Sequence, residues 1–197
     1  MSKIVVLGAG ISGHTAAAHL RRKLSKEHEV LVVSPNRNYQ WVPSNIWVGI
    51  GRMKSKEVIF PLEPLYKRKG IGYKQAKAVS FHPEGDSSEA KPYILVEGVF
   101  GDSLGKQEKV TYDYLINATG PKLAFDMTEG LVPETNKVYS VCTYDHAEKA
   151  SEALHKLIDH LKKSDKKSKI LIGTGHAKAT CQGAAFEYIL NVEKELQ

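Results

Sequence analysis

The chain alternates short apolar runs with helical stripes from its first residues. Lys3 to Leu7 is a β-branched run, glycines follow, and Ala16, Ala17, Leu20 and Leu24 then recur on one helical face. This predicts strand, turn, helix. A second run, Val30 to Val33, follows His28 and Glu29 and stops at Ser34-Pro35-Asn36, where proline removes a backbone donor. Together these make a βαβ unit. Residues 35–60 mix aromatics, prolines and glycines without a period, and read as one long ordered loop. After a short helix over 62–69, runs at 71–81, 93–99 and 108–112, parted by the polar turns EGDSSEAK and GDSLGKQ, predict an inserted antiparallel meander. Tyr114 to Ala118 reads as the strand that returns to the parallel sheet.

The second half starts the pattern again. Ala147, Ala150, Leu154, Leu157, Ile158 and Leu161 fall at helical spacing, so a helix is predicted from Asp145 to Leu161, with SDKKSK as a surface turn after it. Lys169 to Ile172 then reads as a strand, Gly173-Thr174-Gly175 as a turn and Ala177 to Leu190 as a helix, a second strand-glycine-helix start. One strand and one helix cannot bury their own faces, so the chain is expected to be a fragment or a shortened relative of a longer protein. The expected architecture is α/β: a Rossmann-like dinucleotide-binding domain over 1–125, its parallel sheet carrying the meander. Residues 126–197 would supply a connecting helix and the start of a second such domain.

Composition narrows the class without naming a chemistry. The 197 residues, 42% hydrophobic and 25% charged, suit an ordinary globular protein with a core of its own. The net charge of +6 arises largely from surface-like runs such as Lys162-Lys163 and Lys166-Lys167, which lack the interleaved aromatics or basic stripe of a nucleic-acid surface. Nucleic acid is not expected as a partner. The two cysteines, Cys142 and Cys181, are too few for a disulfide framework and fit a reducing compartment. A glycine-rich motif sits where a secretion leader would lie, and no stretch reaches membrane-spanning length. The expectation is a cytoplasmic protein or one attached peripherally to a membrane.

Gly8-Ala9-Gly10-Ile11-Ser12-Gly13 matches G-x-G-x-x-G between a strand and a helix. In that setting Gly8 permits the tight turn, Gly10 lets the backbone approach a pyrophosphate, and Gly13 lets the helix pack closely, while the helix N-terminus supplies free N–H donors. An adenine dinucleotide is the expected ligand. The second strand, however, ends in Ser34-Pro35-Asn36, where a ribose-binding Asp or Glu is the rule. No metal is expected.

Cys181, near the start of the last predicted helix, would have a thiolate favoured by unpaired amides, and is either a nucleophile or a buried, inert thiol. Cys142, just before the preceding helix, admits the same two readings. Glu187 lies six residues beyond Cys181, about 120° around the helix, and is either a proton carrier or solvated. His146 is likewise a proton carrier or a surface residue.

Asn117-Ala118-Thr119-Gly120-Pro121, an apolar strand followed by A-T-G, resembles the second FAD fingerprint of flavoproteins with two dinucleotide domains. The stretches GAGISG, YQWVPSNIWVGIG, YDYLINATGPKLAF, VCTYDHAEKA and ATCQGAAFEY together resemble the sulfide:quinone oxidoreductases over nearly the whole chain. V-P-S-N-x-W-V-G-x-G and C-T-x-D-H-A-E are the more particular to that family. The resemblance implies FAD with its pyrophosphate on Gly8 to Gly13, its adenosine near Ser34, Asn36, Lys77 and Ala78, and its ring near Pro43, Ser44, Asn45 and Gly120, with Thr119 beside the last. It implies that Cys181 is one of two redox cysteines beside the flavin, that Cys142 assists sulfur transfer, and that Glu187 and His146 handle protons. Sulfide would be oxidised at the cysteine site and two electrons passed to quinone.

The same resemblance puts the partner of Cys181, the quinone pocket and the membrane-attaching helices in a C-terminal half that this chain does not contain. The chain by itself is therefore expected to bind FAD weakly or not at all and to be inactive, and association with a second copy stays open. Two other readings stand beside this one. An NADH:quinone or coenzyme A disulfide oxidoreductase of the same architecture is weakened because Gly173-Thr174-Gly175-His176-Ala177-Lys178 lacks a third glycine. A non-catalytic flavin-binding module is the other.

Overall fold

The computed structural model describes residues 1–135, 137–164 and 167–197. These form two compact units, the first from residues 1–39 and 60–121, the second from 40–59 and 122–197.

The first unit is built on a six-stranded sheet. Strands β1 (Lys3–Leu7) and β2 (Glu29–Ser34) pair in parallel and are joined by helix α1 (Ile11–Lys23). They show no polar alternation because both faces are covered, as parallel strands require. Val6, Val30 and Val32 lie with Ala17 of α1, whereas Val5, Leu7, Leu31 and Val33 face the other layer. Two short strands, β3 (Asn38–Gln40) and β4 (Ile59–Pro61), form a separate two-stranded sheet. Residues 45–49 form helix α2 (Asn45–Gly49) and residues 55–58 helix α3 (Ser55–Val58), both described with the second unit. Helix α4 (Leu62–Lys69) buries Leu62 and Tyr66 and ends at Gly70, whose φ of 68° is the left-handed conformation that closes helices.

Strand β5 (Gly72–His82) pairs parallel to β2 over Gly72 to Gln75, then antiparallel to β6 (Tyr93–Gly98) from Ala76 onward. Strand β7 (Gln107–Thr111) completes the expected meander, whose Ile94, Val96 and Val110 cover the sheet face opposite α1. At its tip Asp86 accepts from the Ser88 amide at 2.8 Å, the Tyr93 hydroxyl and the Lys109 ammonium at 3.1 Å. These bonds hold its carboxyl well below the usual carboxylate range. Strand β8 (Tyr114–Asn117) returns parallel to β1, giving the order β7-β6-β5-β2-β1-β8. The parallel part, β5-β2-β1-β8, is the half-sheet of a Rossmann-like domain.

In the second unit α2 and α3 pack with α5 (Tyr144–Leu161), burying Val48 and Val58 against Ala147. Helix α6 (Gln182–Leu196) adds Val192 to Ile50 and Leu154. Three expectations change here. Residues 35–60 are not one loop: they carry β3, α2, α3, β4 and a 3-10 turn over Val42–Ser44. Lys169 to Ile172 forms no strand, because no strand among the described residues runs beside it to complete a ladder. The last helix starts at Gln182, five residues late. His176 explains this: its ring accepts the Lys178 amide at 3.1 Å and its carbonyl accepts the Ala179 amide at 3.0 Å, closing a turn where the helix was expected. In the SDKKSK turn, Asp165 and Lys166 lie outside the described residues.

Candidate functional site

The carboxyl edge of the parallel strands gathers the first unit's candidates. Leu7 is in register with Val33 on one side and Asn117 on the other, so the turns leaving β1, β2 and β8 emerge together. This is where open α/β sheets bind ligands. The Gly8 amide donates to the Val33 carbonyl at 2.8 Å, and Ala118 donates to the Leu7 carbonyl at 2.8 Å.

The three glycines have three different surroundings. Gly8 has a φ of 95°, and a Cβ there would fall 2.2 Å from the Ala118 oxygen. At Gly13 a Cβ would fall 2.0 Å from the Gly8 oxygen, so α1 approaches the β1 turn only because that carbon is missing. A Cβ on Gly10 would meet nothing within 4 Å. Its bareness answers no neighbour in the protein, and it keeps an exposed stretch of backbone clear. Gly10 caps α1, whose first turn has neither a carboxylate nor a side-chain cap, leaving the leading N–H groups unpaired at the positive end of the dipole. Ile11 and Ser12 are exposed and Ala9 is buried. Such a bare, donor-rich, positive turn fits a pyrophosphate.

Beyond β8, Asn117 folds back on its own turn, accepting from the Thr119 amide at 3.2 Å and hydroxyl at 2.9 Å. Gly120 follows with a φ of 72° and open space around it. At the end of β2 the two polar candidates separate. Ser34 is 1% exposed and its hydroxyl accepts the Asn36 amide at 3.2 Å, whereas the Asn36 side chain is exposed. Lys77 is exposed on β5 and Ala78 half-buried. The sequence reading passed over Arg37, whose guanidinium stands 5.8 Å from the centre of the Phe100 ring. No local pattern joins residues so far apart in the chain.

In the second unit Pro43 is exposed, Ser44 half-buried and Asn45 only 1% exposed. The Asn45 side-chain oxygen accepts from Gln40 Nε2 at 3.0 Å, and its buried amide nitrogen has no partner. Cys142 and Cys181 are both free and exposed, so neither is buried as one reading of each had it. Cys181 is the residue that precedes α6, beside its leading amides. Glu187 is exposed on α6. His146 is half-buried on α5, with the edge of Phe125 against its ring at 5.4 Å between centres and a buried Nδ1 that lacks a partner.

A Rossmann-like sheet with a glycine cradle at its carboxyl edge is the architecture of a dinucleotide-binding domain. The chain belongs to the pyridine nucleotide-disulphide oxidoreductase family, whose pattern it matches over residues 2–180. It is 27% identical over 194 residues to a sulfide-quinone reductase of Aquifex aeolicus, covering 98% of this chain and 39% of that protein. The crystal structure of the sulfide:quinone oxidoreductase from that bacterium superposes with a TM-score of 0.65 at 26% identity, over 81% of this chain and 33% of the other. A mitochondrial sulfide:quinone oxidoreductase of Dictyostelium discoideum is 28% identical over 159 residues, 80% of this chain and 32% of its own. A mitochondrial external alternative NAD(P)H-ubiquinone oxidoreductase of Arabidopsis thaliana is 34% identical over 122 residues, 61% of this chain and 19% of its own. The chain thus spans well under half the length of each. Among the described residues no helix is long and apolar enough to cross a membrane.

Proposed function

We propose that the first unit binds the ADP portion of FAD and that the chain belongs to a sulfide:quinone oxidoreductase. The open space over Gly10 carries the cofactor reading, since Gly8 and Gly13 are bare to make room for protein and Gly10 is not. In this reading Gly8, Ala9, Gly10, Ile11, Ser12 and Gly13 hold the pyrophosphate, and Ser34, Asn36, Lys77 and Ala78 surround the adenosine. Thr119, Gly120, Pro43, Ser44 and Asn45 are kept as contacts of the flavin. When bound, the flavin supplies a two-electron acceptor. Cys181 supplies a sulfur that sulfide attacks in its oxidised, disulfide-bonded form, leaving a persulfide on one cysteine and a thiolate on the other. Cys142, exposed at the approach to α5, accepts sulfur in turn, while His146 and Glu187 move protons. Similarity to the Aquifex protein along 98% of this chain supports sulfide as the donor.

A second reading, electron transfer from NADH to quinone, has the 34% identity to the Arabidopsis enzyme in its favour. One experiment separates the two. This chain and any longer form encoded by the same gene are saturated with FAD, and the visible spectrum of the longer form is followed during anaerobic addition of sulfide and, separately, of NADH. Bleaching by sulfide that Cys181→Ser abolishes bears out the first reading, and bleaching by NADH alone replaces it with the second. A longer form that takes up no flavin removes the cofactor assignment, whereas a colourless chain beside a yellow longer form leaves it standing.

A further inference from the structure

The turn after β8 is held by a side chain and not by the sheet. The Ala118 amide makes the last ladder bond, to the Leu7 carbonyl at 2.8 Å, one residue past the end of the β1–β8 pairing. The chain then leaves the sheet, and the Thr119 amide needs another acceptor. Asn117 supplies it. Its side-chain oxygen accepts from the Thr119 amide at 3.2 Å and from the Thr119 hydroxyl at 2.9 Å, so both lone pairs hold one residue. Gly120 follows in the left-handed conformation, with a φ of 72°.

What this latch holds is the neighbour of Gly8. A Cβ on Gly8 would fall 2.2 Å from the Ala118 oxygen and 3.1 Å from the Thr119 Cα, and one on Gly13 would fall 3.3 Å from the Ala118 Cβ. The Ala118–Thr119 peptide therefore fills the notch that the two bare glycines leave, and a shift of Thr119 is felt at the start of the cradle. Asn117 and Thr119 are themselves exposed, so their bonds add little to the core. The latch requires only an oxygen, and an aspartate would offer a stronger acceptor to the same two donors. Asparagine is the choice that brings no charge.

Building on the cradle reading, we infer that Asn117 is a positioning residue of the dinucleotide site: it fixes the Thr119–Gly120 turn against Gly8, and its neutrality keeps a negative charge away from the ligand's diphosphate. It acts through Thr119 and Gly8. The positive end of α1 attracts the diphosphate, and a carboxylate at the end of β8 would oppose that attraction.

The test is a chemical-shift titration of the full chain with 5′-ADP at about 0.05 M and about 0.5 M salt, for wild type, Asn117→Ala and Asn117→Asp. Urea midpoints and hydrogen exchange at the Thr119 amide are measured on the same samples without ligand. Asn117→Ala is expected to speed that exchange and to weaken 5′-ADP about fivefold at both salt concentrations, with a urea midpoint close to that of wild type. Asn117→Asp keeps the latch and should exchange as wild type does. Its affinity should be about threefold or more below wild type at the lower salt and close to it at the higher, where the introduced charge is screened. An Asn117→Ala chain that binds 5′-ADP as wild type does overturns the inference and leaves the cradle standing, as does an Asn117→Asp chain whose deficit is the same at both salt concentrations. A wild-type chain that binds no 5′-ADP overturns the inference together with ADP binding by the first unit.

Discussion

Glycine, the residue with least to contribute, is used at Gly8, Gly10 and Gly13 for two distinct ends, and substitution separates them. Gly13→Ala sets a carbon 2.0 Å from backbone oxygen and should cost on the order of 3 kcal/mol, read as a lower urea midpoint with no ligand present. Gly10→Ala meets no atom and has a φ of −72°, so its stability should fall by about 1 kcal/mol or less. Its affinity for 5′-ADP, measured in the same preparation, should nevertheless collapse. His14 makes a separate prediction. Its ring lies among Tyr39, Phe60 and Tyr66, with Nδ1 3.2 Å from the Tyr66 hydroxyl, and burial followed by the Lys69 ammonium lowers its pKa below 6.5. A depressed histidine is neutral in the fold and protonates first in the unfolded chain. Its contribution to stability is therefore complete above the ordinary value and is lost as pH falls through the folded value. Urea midpoints at about pH 7.5 and about pH 5 should differ more in wild type than in His14→Gln.

Among the elements, α6 is tied to its unit by unequal bonds. The Tyr188 hydroxyl donates to the Gly49 carbonyl at 3.0 Å from a site whose burial pushes its pKa up to about 12. Tyr188→Phe should cost about 1 kcal/mol. Arg52 and Glu195 meet at 2.6 Å, but the Arg52 side chain is 57% exposed, so Arg52→Ala should cost only roughly 0.5 kcal/mol. Chemical denaturation of both variants tests the ranking. Legibility in the sequence divides along similar lines. Strands β1 and β2 are apolar because they are buried on both faces, edge strand β8 has Leu115 and Ile116 half-buried between exposed ends, and α5 repeats its apolar residues over 18 positions, so their signals are local. Helices α2 and α3, of five and four residues, are too short to display a period. The burial of Ile50 depends on Leu154 and Val192, far along the chain. Of the site, the glycine cradle was legible from spacing and context. The bulk around Asn45 and the Arg37–Phe100 contact were not, because long-range packing creates them.

For the whole molecule, the division into units matters because neither is one continuous stretch of chain. A chain ended at Pro121 would keep every strand of the six-stranded sheet and also residues 40–59, without the helix that covers them. Val48 and Val58 would lose Ala147, and Ile50 would lose Leu154 and Val192. This shortened chain should retain strand circular dichroism yet bind a hydrophobic dye more strongly than the intact chain does.

Strand β5 has a practical consequence through its change of partners. Because it leaves β2 at Gln75 and joins β6 at Ala76, the hairpin at its far end is a cantilever rooted in the sheet. The Asp86 tip is stitched by its own bonds and bears no strand of the parallel half-sheet. A fluorescent label or an affinity peptide grafted there would ride on the protein without entering the parallel half-sheet, so the meander is the natural handle by which to tether the molecule to a surface.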